Sequence, residues 1–165
     1  MLGYVCKYTP MELFEAMDTE ITRLEPSVTD FNHADTLMHA NICSYTKAVL
    51  EDVMEHDYEG VILTTCCDSI RRLYDTLKSQ FPDKFFFLLD IPRKFNDFAV
   101  ALYERQLKQM LTEYEAFSGK TLDLKRFVSM MQNKAALKKQ ENTRMSASAV
   151  SEKGNGQKLN IGIMG

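Results

Sequence analysis

The sequence lacks several features that would place a protein in a class at once. Its 20 Lys and Arg residues are outnumbered by 23 Asp and Glu residues, so the net charge is −3 and there is no basic excess for binding nucleic acid. No apolar run approaches the roughly 18 residues that cross a bilayer, and the first residues lack the pattern of a secretory signal. We therefore expect a cytoplasmic protein with neither nucleic acid nor membrane as a partner.

The four cysteines lack the close Cys-x-x-Cys pairs that are typical of zinc sites and simple ferredoxins. Without a secretory signal, they indicate reduced thiols rather than a disulfide framework. The chain has 165 residues, of which 45% are apolar, which is enough for one domain with a sizeable core.

The stretch from Gly60 to Lys78 carries the strongest local pattern. A short apolar run follows Gly60 and predicts a buried strand, and apolar residues at helical spacing after Asp68 predict a helix. Cys66 and Cys67 lie between the two, where strand ends and helix amino-termini converge and ligands bind in open α/β sheets. The pair can be a metal or redox site, or two small buried hydrophobes in a loop.

Cys6 and Cys43 also precede predicted helices. Thr9 and Pro10 indicate a helix start just after Cys6, and Ser44 can cap a partly apolar helix just after Cys43. In parallel βα units these loops emerge on the same edge of the sheet. Thiolates gathered there could hold an iron–sulfur cluster or zinc, and the spacing does not name the metal.

The other segments predict ordinary core elements. Residues Ile21–Leu24 and Phe85–Leu89 read as strands, and Phe95–Phe117 reads as a long amphipathic helix ended by Gly119. Another helix follows a cap at Thr121 or Asp123. The polar segment Ser27–Ala40 contains His33, Asp35 and His39, which could suggest a metal site, but their spacing fits neither a helix face nor a strand, so a solvated loop is predicted.

The sequence predicts one domain, a linker and the start of a second domain. Residues 1–140 form an N-terminal α/β domain, residues 141–158 form a polar linker that we expect to be disordered or extended, and residues 159–165 resemble the start of a truncated second domain.

Two motifs carry a family resemblance: Gly3–Leu13, which contains Cys6, and Thr64–Asp75, which contains Cys66 and Cys67. They resemble the 2-hydroxyacyl-CoA dehydratase components, a family that includes benzoyl-CoA reductase subunits and double-cubane-cluster proteins. Arg23–Leu24, the Cys43 loop and Leu89–Pro92 follow in the family's order and spacing.

The resemblance implies a flavodoxin-like or Rossmann-like α/β fold with a small, mostly parallel sheet and flanking helices, the first of two such domains. It implies a [4Fe–4S] cluster held between the domains, with Cys43 and Cys67 at the family's first two ligand positions. Cys6 matches a cysteine found in only part of the family, and Cys66 has no counterpart. The remaining ligand would come from the second domain.

The implied function is radical elimination of water from a 2-hydroxyacyl-CoA. An ATP-dependent activator passes one electron to the cluster, and reduction of the CoA thioester to a ketyl radical anion permits loss of the hydroxyl. The implied partners are that activator, the missing second domain or a second dehydratase subunit, and the CoA-thioester substrate. The alternatives are a non-catalytic electron-transfer or double-cubane reductase module, and an inactive remnant; Glu25, where double-cubane members tend to carry cysteine, argues against that subgroup.

Overall fold

The computed structural model describes residues 1–28 and 30–151, with side chains as far as residue 137. A four-stranded, all-parallel sheet in the order β2-β1-β3-β4 organises the described part of the chain. Its strands are β1 (Leu2–Tyr4), β2 (Ile21–Arg23), β3 (Gly60–Thr64) and β4 (Phe85–Leu89). The α/β fold class expected from the sequence, flavodoxin-like or Rossmann-like, is confirmed.

Helices connect and follow these strands along the chain. They are α1 (Met11–Glu15), α2 (Asn32–Leu37), α3 (Ser44–Glu55), α4 (Asp68–Gln80), α5 (Asp97–Ser118) and α6 (Leu124–Ser151). The predicted stop of α5 is confirmed, because Gly119 takes a left-handed φ of 70° that suits a residue without a Cβ. Asp123 caps α6 by accepting hydrogen bonds from the backbone of Lys125 and Arg126.

Two apolar layers cover the two faces of the sheet. Along β3, Val61 and Leu63 pack with residues of α3 and α4, whereas Ile62 packs with residues of α1 and α5. This alternation is the period of two that a strand imposes on its side chains. It explains why the continuous apolar run predicted as a strand is buried on both faces.

Strand β1 was not predicted. It has only three residues, too few to show a period, but it lies in the interior of the sheet, where Leu2 pairs with both Ile21 and Gly60. Gly60 is held closely as well: a Cβ built on it would lie 1.9 Å from the backbone oxygen of Phe85.

Two predictions about local structure differ from the observed chain. Part of the predicted loop Ser27–Ala40 is the helix α2, because Glu51 of α3 accepts a 2.8 Å hydrogen bond from the Ala34 amide and lies 2.7 Å from Nδ1 of His33. Tertiary contacts, which no sequence period reveals, therefore stabilise this short polar helix.

The first part of the expected linker is helical. Helix α6 continues to Ser151, and from residue 120 to residue 153 the sequence contains neither Gly nor Pro to end it. The rest of the linker and the predicted start of a second domain lie outside the described residues. By compactness the chain divides into one unit, Met1–Phe127, and a second unit that begins at Val128.

The edge of the sheet at the amino ends of the strands, here called the amino edge, is densely hydrogen-bonded. The fully buried Tyr114 hydroxyl lies 3.1 Å from Oγ1 of Thr19 and 3.0 Å from Oε1 of Glu59. Nζ of Lys120 donates to the same Thr19 hydroxyl and to the backbone oxygen of Asp18. This edge joins α5 to the segments that lead into β2 and β3.

Candidate functional site

The four cysteines lie in the loops at the opposite edge, here called the carboxyl edge. Cys6 follows β1, and Cys66 and Cys67 follow β3. Cys43 is the residue before α3, and α3 runs back across the sheet to enter β3, so its first turn lies at this edge too. All four are free thiols, and Cys43, Cys66 and Cys67 are exposed.

Cys43 lies against the first turns of two helices. Its Sγ is 3.1 Å from Oγ1 of Thr46 in α3. Burial opposes ionisation of the Cys43 thiol, but hydrogen bonds from the Thr46 and Ser69 hydroxyls and from the backbone of Tyr45 and Thr46 outweigh it, so its pKa is lowered. Ser69 is two residues beyond Cys67, so the two helix starts that carry Cys43 and Cys67 lie side by side.

Cys67 is the N-cap residue of α4, with the extended backbone expected there. Its neighbour Cys66 differs: burial raises the pKa of the Cys66 thiol, the Cys67 thiol raises it further, and the nearby Thr64 hydroxyl partly opposes the shift. Adjacent cysteines in the chain therefore have different surroundings.

Tyr45 lies among these thiols. Burial is the main reason that its pKa is raised, Arg23 opposes that shift, and the charges of Cys66, Cys6 and Cys43 add to it. The phenol is thus within electrostatic range of three cysteines from three different loops. The loops that carry these cysteines lie at one edge of the sheet, as the strand and helix pattern predicted.

A pocket of about 290 Å³ opens at the same edge, between the ends of β1, β3 and β4. We call it the edge pocket; it is lined by Cys6, Tyr8, Thr64, Thr65, Cys66, Ile91, Pro92 and Arg93. Sequence reasoning did not single out Thr64 or Arg93 as pocket residues. A signal for Thr64 was present, because the polar residues Thr64 and Thr65 follow the apolar run of β3, and residues at the end of a parallel strand lie at the usual ligand position.

Hydrogen bonds fix the floor of this edge. The Thr65 hydroxyl donates to the Asp90 carboxylate, the Thr65 amide donates to the Leu89 carbonyl at 3.0 Å, and the Asp90 amide donates to Oε1 of Gln106 at 2.7 Å. The Thr64 hydroxyl is buried and has no hydrogen-bond partner by geometry, although it is near enough to Cys66 to influence its ionisation.

Among the described residues, no three His, Cys, Asp or Glu side chains converge in a way that could hold a metal ion alone. The histidine segment does not supply one, since His33 pairs with Glu51 and Asp35 pairs with Nζ of Lys47 at 2.6 Å.

The family model described as 2-hydroxyglutaryl-CoA dehydratase, D-component, matches residues 6–152, which is most of the chain. The match includes all four cysteines and confirms the resemblance seen in the cysteine motifs. Among curated proteins, none gives a significant match to this chain. Within the described helices, none combines the length and apolar character needed to span a membrane.

Proposed function

The chain belongs to the family of the 2-hydroxyglutaryl-CoA dehydratase D-component, and from this premise we propose that it is the iron–sulfur component of a dehydratase that removes water from a 2-hydroxyacyl-CoA. In this proposal it supplies two thiolate ligands, Cys43 and Cys67, to a [4Fe–4S] cluster.

One observation carries the proposal: Cys43 and Cys67 each precede the first turn of a helix, and the two helix starts are neighbours. Unpaired amides and the helix dipole favour a thiolate at such a position. Both thiols are exposed, so iron can reach them. Soft thiolate donors are the ligands that iron–sulfur clusters require.

The Cys43 and Cys67 thiolates are suitable ligands for the cluster but are too few to hold it. In this proposal, two thiolates leave at least one ligand to be supplied by a second domain or a partner subunit. Cys6 and Cys66 are the weaker candidates, because Cys66 has no counterpart in the family's pattern and Cys6 matches a cysteine found in only part of the family. When bound, the cluster supplies the single electron that makes the hydroxyl of the thioester a leaving group; an ATP-dependent activator is its proposed source.

The test is anaerobic reconstitution of the chain with iron and sulfide, followed by iron analysis and by visible and paramagnetic spectra. We expect substoichiometric iron that chelator or oxygen removes readily, and Cys67→Ser and Cys43→Ser variants that bind none. Addition of a second dehydratase subunit should raise iron binding and, with activator and a 2-hydroxyacyl-CoA, give the unsaturated product.

Cys66→Ser is the matched control, since it changes the adjacent thiol and should reduce iron binding less. If Cys66→Ser were the more damaging change, the assignment of Cys67 as a ligand would be wrong. Iron binding without turnover would favour an electron-transfer module, and a folded chain that never binds iron would identify an inactive remnant.

A further inference from the structure

Two cysteines line the edge pocket and are not the proposed cluster ligands. Cys6 follows β1 and Cys66 follows β3, and both contribute to the wall of this pocket, whereas Cys43 and Cys67 do not line it. Tyr45 lies within electrostatic range of both lining thiols. Cys66 is exposed and Cys6 is partly buried, so a reagent in solution reaches Cys66 more easily.

The sheet brings the loops of these two cysteines close together. Strands β1 and β3 are neighbours in which Tyr4 pairs with Ile62, and the Val5 amide still donates to the Ile62 carbonyl at 3.4 Å. Beyond β3, a 2.7 Å hydrogen bond from the Cys66 amide to the Thr64 carbonyl turns the chain back. Neighbouring strands are about 4.8 Å apart, within the range of about 4.4–6.8 Å that separates the Cα atoms of a disulfide. The two strand ends therefore suit a covalent link between their loops.

Other pairings of Cys66 are less favourable. Consecutive Cα atoms lie about 3.8 Å apart, which is shorter than the separation usual in disulfides, so a bond from Cys66 to Cys67 would need a distorted peptide. Cys43 lies outside the edge pocket, with its Sγ against Oγ1 of Thr46 at 3.1 Å. Among the four cysteines, Cys6 is therefore the partner on which the pocket lining and the strand register agree.

The rest of the pocket suits a small disulfide as the oxidant. Thr64 lines it and is 1% exposed, and its hydroxyl has no hydrogen-bond partner by geometry, so this hydroxyl can donate to a thiolate that leaves during exchange. Arg93 also lines the pocket, and none of its described lining residues is acidic, which favours an anionic reagent. A volume of about 290 Å³ is at the lower end of small-molecule sites, which suits a small thiol.

We propose that Cys6 and Cys66 form a redox pair that a low-molecular-weight disulfide oxidises to a protein disulfide. The exposed Cys66 thiolate attacks one sulfur of the reagent, the S–S bond of the reagent breaks, and the departing thiolate takes up a proton. The Cys6 thiolate then attacks the Cys66 sulfur, forms the new S–S bond and releases the second reagent thiol. In total the two cysteines lose two electrons and two protons, and the reagent gains them as two thiols.

The test equilibrates the iron-free chain with mixtures of reduced and oxidised glutathione in the absence of air. Remaining thiols are trapped with N-ethylmaleimide, and disulfides are mapped by mass spectrometry of an unreduced tryptic digest. Burial raises the pKa of the Cys66 thiol and so lowers its thiolate fraction, which slows exchange, and the extent of oxidation at equilibrium is therefore measured rather than its rate.

The positions of lysine and arginine make this map readable. Trypsin cuts after Lys7, Lys47 and Arg71, so one peptide carries Cys6 and another carries Cys66 together with Cys67. Cys43 falls in a third peptide. We expect the first two peptides to be joined in the oxidised chain and the Cys43 peptide to stay unlinked.

Serine variants identify the sulfur atoms. Cys66→Ser should abolish the link, and Cys6→Ser should stop the reaction at a glutathione adduct on Cys66. Cys67→Ser, the matched change at the adjacent residue, should leave the cross-linked fraction unchanged, which assigns the bond to Cys66 because both residues share a peptide.

Four results would overturn the proposal: loss of the link in Cys67→Ser, a link to the Cys43 peptide, a stable glutathione adduct on Cys66 in the unaltered chain, or no oxidation of Cys66 at any glutathione ratio. The experiment contains no iron and concerns the two cysteines that the cluster proposal does not require. Its outcome is therefore independent of the outcome of iron reconstitution.

Discussion

The two edges of the sheet differ in how fully their polar groups are paired. At the amino edge, Tyr114, Thr19 and Glu59 form one connected group, with Lys120 attached to it. At the carboxyl edge, the hydroxyls of Thr9 and Thr64 are buried and have no hydrogen-bond partner by geometry, although Thr64 is near enough to Cys66 to influence its ionisation. From this difference we expect the amino edge to contribute more to the stability of the fold and the carboxyl edge to be the more available for binding.

The largest expected effect is on stability at the amino edge. Tyr114→Ala should lower the free energy of unfolding by about 3–5 kcal/mol, because it removes a fully buried ring that packs edge-on against Phe14 and Phe85. Tyr8→Ala is the matched change at the carboxyl edge; Tyr8 is 62% exposed and should cost within about 0.5 kcal/mol. Urea denaturation measures the loss of stability in both variants. Equal losses would contradict the proposed difference between the two edges.

Substitution of Glu51 tests whether the Cys43 loop at the carboxyl edge depends on the contacts between α2 and α3. Burial disfavours its charge, but hydrogen bonds from Ala34 and His33 outweigh this, so the pKa of Glu51 is lowered. Its contribution is therefore present at neutral pH and is lost as pH falls through the folded-state pKa. Glu51→Gln should cost about 1–3 kcal/mol at pH 7 and less at acid pH.

The measurement for Glu51 is denaturation of both proteins across acid pH, with Cys43 alkylation recorded in parallel. Helix α2 leads into the Cys43 loop, so the variant should also alkylate faster at Cys43. An unchanged rate would show that this loop is held by its own contacts.

The dependence of folding stability on alkaline pH gives a further test of the amino edge. Burial is the main cause that raises the pKa of Tyr114 to about 12, and likewise that of Tyr58, which precedes β3. In the unfolded chain these phenols ionise near pH 10, so stability should decrease as pH rises from about 10 toward 12. Tyr114→Phe should cost about 1 kcal/mol at neutral pH and should show a shallower alkaline decline. A decline as steep as that of the unaltered protein would contradict the role of Tyr114.

The smallest effect is expected from Thr64. Its hydroxyl lacks a partner, so Thr64→Val should change stability by less than about 1 kcal/mol and can increase it, because an unpaired buried group is removed at nearly constant shape. Thr19→Val is the amino-edge control and should be the more destabilising. A clear loss of stability in Thr64→Val would mean that this hydroxyl is satisfied in the folded protein.

Long, regular patterns were predictable from sequence, and short tertiary-dependent ones were not. Strands β3 and β4 and helices α4 and α5 followed from apolar runs, caps and Gly119. Strand β1 is too short to show a period, and α2 depends on Glu51, which is 17 residues from Ala34 in the chain. Pattern reasoning cannot see such partners.

The candidate site divides in the same way. That the cysteine loops share one edge followed from parallel βα topology, a rule about connections. The edge pocket could not be predicted, because its wall depends on how the loops after β1, β3 and β4 approach one another. That Cys43 and Cys67 are iron ligands stays a prediction, as does the start of a second domain at residues 159–165, whereas the expected linker is helical as far as Ser151.

The close packing around Gly60 limits which substitutions can accumulate there. Every substitution of a glycine by another amino acid adds a Cβ, and here that atom would collide with the backbone of β4 rather than with a side chain that can rotate away. At Gly3, by contrast, the nearest obstacle is the side chain of Leu24 at 3.1 Å, so a shift of a few tenths of an ångström in that side chain, rather than in the backbone, would be needed. A mutational scan selected for folded protein should therefore recover almost no substitutions at Gly60 and some alanine at Gly3, so sequence drift at the junction of β3 and β4 is restricted by the backbone itself.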